Sequence, residues 1–62
     1  MQITLKAARV NAGMTRKDVE KSVGINAETL KGWEYGKFEP RAKVFLKLCH
    51  LYNVAPTDIF LP

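Results

Sequence analysis

Glycines and capping residues punctuate this chain so closely that they point to a bundle of short helices. Thr4 can cap a first helix from Leu5 to about Ala12, and Gly13 supplies a left-handed stop. Thr15 opens a second helix, and Asp18 three residues on completes a short capping box. That helix ends at Gly24. Ile25 alone separates this stop from Asn26, a strong N-cap for a third helix that ends at Gly36. Pro40 marks the next loop, a fourth helix is expected from about Arg41 to Tyr52, and Asn53 can cap its end. Pro56 suits the first position of a short fifth helix closing with Ile59 and Phe60. Strand signals are almost absent. The expectation is one all-α domain, residues 1–62, built of five short helices.

Sixty-two residues lie near the lower limit at which a single core stabilises a fold without metals or disulfides. One cysteine, Cys49, allows no internal disulfide, and one histidine, His50, allows no Cys/His zinc cage. A free thiol in an apolar run fits a reducing cytoplasm. The apolar runs are too short to span a membrane, and "MQITLKAARV" lacks the apolar region of a signal peptide. Ten Lys/Arg against six Asp/Glu give a net charge of +4, which favours a polyanionic partner, nucleic acid before membrane. No Ser/His/Asp constellation, glycine-rich phosphate loop or carboxylate cluster appears, so no enzyme, cofactor, metal or small-molecule substrate is expected.

The third helix carries only Leu30 and Trp33 as large apolar residues. Val19 and Val23 pack the second helix on the core, Gly24 lets the chain reverse, and Ile25 plugs the corner. This spacing leaves Asn26, Ala27, Glu28, Lys31 and Gly32 pointing outward. A helix that enters the DNA major groove needs few anchors and an unburied opposite face.

The stretches "LKAARVNAGMT", "VGI", "TLKGWEYGKFEP" and "LYNVAPTDIF" make the chain resemble the Cro/C1-type, or xenobiotic-response-element type, helix-turn-helix domain over about residues 3 to 61. The resemblance implies a lambda-repressor-like fold. It also implies a buried salt bridge between Arg9 and Glu34, in keeping with the need to pair a charge on an apolar face. By the same resemblance Thr15 and Arg16 meet phosphates at the start of the second helix. Asn26, Ala27 and Glu28 face base edges, with Lys31 and Gly32 one turn deeper, while Tyr35, Lys37 and Arg41 hold backbone on the other side. Lys31 and Asn26 are the candidates for direct readout, of guanine and adenine respectively. The chain departs from the family pattern at Arg16, usually glutamine; at Glu28, which can accept from cytosine N4; and at Gly32, which offers no side chain. Glu20 stands where a small residue is usual, and its carboxylate is expected to reach Arg16 or Lys31. Lys6, Lys17, Lys21, Lys43 and Lys47 read as solvated charges, Trp33 and Cys49 as core, and His50 as exposed. Tyr35 divides between helix-end packing and a phosphate bond.

The apolar residues of the fourth helix cover about twice the ~100° stripe that faces a core. Phe45, Cys49, Tyr52 and Ala42 suffice for the inner face. Val44, Leu48 and Leu51 form a second stripe which, with Phe60 and Leu61, is expected to bury against a second copy. The reading is a cytoplasmic, sequence-specific DNA-binding transcriptional regulator, a repressor of the phage or mobile-element sort, binding operator DNA as a homodimer. The alternatives are a protein-interaction module or an antitoxin-like subunit with the same fold.

Overall fold

The computed structural model describes residues 2–61. A two-residue strand, β1 (Ile3–Thr4), leads into helices α1 (Leu5–Asn11), α2 (Arg16–Val23), α3 (Ala27–Glu34) and α4 (Ala42–Tyr52). A 3-10 turn (Pro56–Asp58) and a second strand, β2 (Ile59–Phe60), complete the fold.

A local side chain fixes the start of each of the first three helices. Thr4 Oγ1 accepts from the Ala7 amide at 3.0 Å. Thr15 and Asp18 exchange two bonds: the Asp18 amide donates to Thr15 Oγ1 at 3.1 Å, and the Thr15 amide to Asp18 Oδ2 at 2.8 Å. Asn26 Oδ1 accepts from the Glu28 amide at 2.7 Å. Between α2 and α3 the chain reverses at Gly24, whose φ of 82° is left-handed. A Cβ there would meet nothing within 4 Å, so the demand for glycine is purely a backbone one, worth roughly 1–2 kcal/mol.

Every helix contributes to one core. Leu5 and Ala8 come from α1, Val19 from α2, Leu30 and Trp33 from α3, Leu48, Cys49 and Tyr52 from α4, and Ile59 from β2. Leu5, Val19, Leu30 and Leu48 are almost wholly removed from solvent, each contributing roughly 1.5–3 kcal/mol.

Two expectations are corrected here. The C-terminal segment does not close as a fifth helix: Pro56 opens only a three-residue turn, and the chain then extends. Ile59 and Phe60 pair in parallel with Ile3 and Thr4. β-branched residues at three of these four positions suit a strand, and the pairing satisfies backbone groups at both ends of the domain. Leu48 is likewise no interface residue. It is 0% exposed at the centre of the core, with Val44 and Leu51 half-buried beside it and Ala42 turned outward. The apolar arc of α4 is wide because α1 and the Pro56–Asp58 turn both pack against it.

The Tyr52 hydroxyl is buried without a hydrogen-bond partner among the described residues. Burial first, and the charge of Glu34 second, push its pKa up from 10.0 to about 12. The folded state therefore prefers the neutral phenol; that contribution is complete below pH 10 and lost as pH rises towards 12. We expect Tyr52→Phe to stabilise the domain by about 1 kcal/mol at neutral pH. It should also reduce the loss of stability on alkalinisation, read by urea unfolding. A less stable phenylalanine variant would contradict an unpartnered hydroxyl.

Candidate nucleic-acid interface

α2 and α3 are joined through residues 24–26. The start of α3 is held twice, because Glu20 Oε1 also accepts from the Ala27 amide at 3.1 Å. Glu20 therefore does not reach Arg16 or Lys31; it ties the end of α2 to the first turn of α3. On α3, Leu30, Trp33 and Glu34 point inward and are buried. Asn26, Glu28, Thr29, Lys31 and Tyr35 are exposed, and Ala27 is half-buried.

Gly32 is not an open, base-facing position. It is buried, and a Cβ built on it would lie 2.7 Å from Phe38 Cδ2. The loop after α3 folds back because the Lys37 and Phe38 amides donate to the Gly32 carbonyl at 2.8 and 3.4 Å. The result is a concave surface of about 350 Å³ whose lining includes Glu28, Thr29, Lys31, Tyr35 and Phe38.

Glu34, at the end of α3, joins three helices. Its Oε2 accepts from Arg9 Nε at 2.8 Å, and its Oε1 accepts from Arg16 Nε at 3.0 Å and from Arg9 Nη2 at 3.5 Å. Arg9 Nη1 also donates to the Met14 carbonyl at 2.8 Å. The Glu34 side chain is 0% exposed. Arg16 is thus not a free phosphate cation but one of the three side chains of this network. Burial works against its charge, yet the charge and hydrogen bond of Glu34, with Tyr35 beside them, together outweigh that and raise its pKa. The Thr15 amide is not free either, since the capping box occupies it. The capping bond of Asn26 uses the oxygen that a bidentate contact with adenine would need.

Tyr35 is 59% exposed, and three cations surround its ring. Arg16 Cζ lies 5.7 Å from the centroid, Lys31 Nζ 5.9 Å and Lys6 Nζ 6.0 Å. These come from α2, α3 and α1, so the fold collects on one rim charges that are 25 residues apart at the extremes. Held together they repel one another, and a nearby anion relieves that repulsion. Lys37 and Arg41 are exposed on the following loop, Arg41 at the N-cap of α4. Lys6 and Phe38 join the candidate surface without any local signal in the sequence.

A family model described as a helix-turn-helix domain matches residues 3–61. The chain is 33% identical over 61 residues to an uncharacterized HTH-type transcriptional regulator of Archaeoglobus fulgidus, covering 98% of this chain and 86% of that one. It is 31% identical to another from Methanocaldococcus jannaschii, covering 98% and 92%. With the HTH-type transcriptional regulator ImmR of Bacillus subtilis it shares 39% identity, over 92% of this chain and 44% of ImmR. No solved structure matches it significantly. With the α2–turn–α3 unit in place and residues 3–61 inside the matched span, the chain belongs to the helix-turn-helix domain family, in its Cro/C1 type.

Proposed function

We propose that this domain regulates transcription by binding operator DNA sequence-specifically, with α3 and its Lys31 in the major groove and Lys6, Lys37 and Arg41 against phosphates. The observation that carries the reading is the gathering of Lys6 and Lys31, with the Glu34-bound Arg16, around Tyr35 beside the exposed face of α3. Lys31 reaches base edges, while Lys6, Lys37 and Arg41 neutralise backbone on either side. Exposed Leu46, Phe60 and Leu61 support assembly as a homodimer, the arrangement that reads two half-sites. Leu46 borders a groove of about 510 Å³ that Val23 and Leu51 also line. A dimer on an operator acts by occupying a promoter, which makes repression the fitting role, and the reduced, buried Cys49 fits a cytoplasmic setting.

The test is anisotropy titration with a selected duplex and a random one. Lys31→Ala is expected to lose discrimination between them by about 10-fold or more, the value of a good base contact. Lys6→Ala and Lys37→Ala should weaken both duplexes alike and reduce the salt slope by about one unit each. Equal losses from all three on both duplexes would refute this division of roles. Arg16→Ala is a poor probe, because it also removes a partner of Glu34. If the fold instead serves only to bind another protein, random duplex will leave the amide resonances of residues 26–37 unshifted.

A further inference from the structure

We infer that Phe38 is a base-reading side chain, placed against α3 to contact the C5-methyl group of a thymine. The inference rests on the DNA-docking reading above. Its starting point is Gly32, where a Cβ would sit 2.7 Å from Phe38 Cδ2 and 3.0 Å from Cε2. The ring edge therefore occupies the space in which any other residue would begin its own side chain. The Lys37 and Phe38 amides both donate to the carbonyl of that glycine, so one residue fixes the loop and admits the ring.

Gly32 lies three and four residues after Thr29 and Glu28, and so shares their helical face. The ring stands at the edge of the concave surface that this face forms. It belongs to no part of the core and remains 58% exposed. Lys31 and Lys37 border the same concavity, which makes duplex DNA its complementary occupant. An apolar ring at a groove-facing position has one apolar target among base edges, the thymine methyl. Phe38 thereby supplies a side chain from the loop where α3 offers none.

The test replaces each thymine of a selected duplex, one at a time, by deoxyuridine, which removes the methyl group alone. Wild-type affinity is expected to fall about fourfold at one position in each half-site, equivalent to ~0.8 kcal/mol for burial of one methyl-sized group. Phe38→Ala should bind the thymine and uracil duplexes equally. So should Gly32→Ala, whose new methyl group displaces the ring without altering Phe38 itself. A wild type that binds the duplex but tolerates uracil everywhere overturns this inference alone. So does a Phe38→Ala protein that still prefers thymine. A wild type that binds no duplex at all overturns the DNA-docking reading and this inference together.

Discussion

Replacing Glu34 by alanine is expected to remove most of the domain's stability at 25 °C. The carboxylate is fully buried and both of its oxygens are bonded, to Arg9 Nε at 2.8 Å and Arg16 Nε at 3.0 Å. Its removal leaves the buried Arg9 guanidinium facing a second cation with nothing between them. Breaking a buried pair from one side costs about 3–5 kcal/mol. A domain of this size has a total stability of only about 3–9 kcal/mol. Arg9→Met should cost less, because Arg16 still holds Glu34 Oε1. Combining Arg9→Met with Glu34→Leu should recover much of the loss, since no buried charge then lacks a partner and Arg16, with a side chain 27% exposed, can turn to water. Urea unfolding followed by circular dichroism ranks the three variants. A folded Glu34→Ala protein with near wild-type stability would mean that the arginines find another counter-charge.

The second large effect is expected at Leu48. Alanine there removes a side chain that is 0% exposed, at a cost of about 2–5 kcal/mol for a cavity that short helices close only partly. Leu46, two residues earlier and 54% exposed, should change monomer stability by no more than about 0.5 kcal/mol when made alanine. If the homodimer forms through this side of the molecule, Leu46→Ala lowers the concentration dependence of the melting temperature and Leu48→Ala lowers the melting temperature itself. Equal destabilisation by the two at low protein concentration would contradict the orientation of α4.

These residues also mark where the sequence could and could not be read. Thr4, Thr15 with Asp18, and Asn26 act on amides two or three residues away, so the chain needs no partner segment to form those caps. Helix order, the turn at Gly24 and the anchoring of α3 by Leu30 and Trp33 are legible for the same reason: short-range spacing governs them. The depth of Leu48 is not, because helical spacing shows which residues share a side of α4 but not how many neighbours will cover it. β2 was missed because its partner, β1, begins the chain, and two extended residues carry almost no local signal.

The candidate site divides along the same line. That α3 would be mostly polar, and that its first turn would be exposed, was written in the order of its residues. Only the folded chain decided that Arg16 would be bound to Glu34, that Lys6 would join Lys31 over Tyr35, and that Phe38 would fill the space left by Gly32. Caps and turns are settled by atoms a few bonds apart. A charged rim or a borrowed side chain depends on separate segments arriving at one place, and packing alone brings them there.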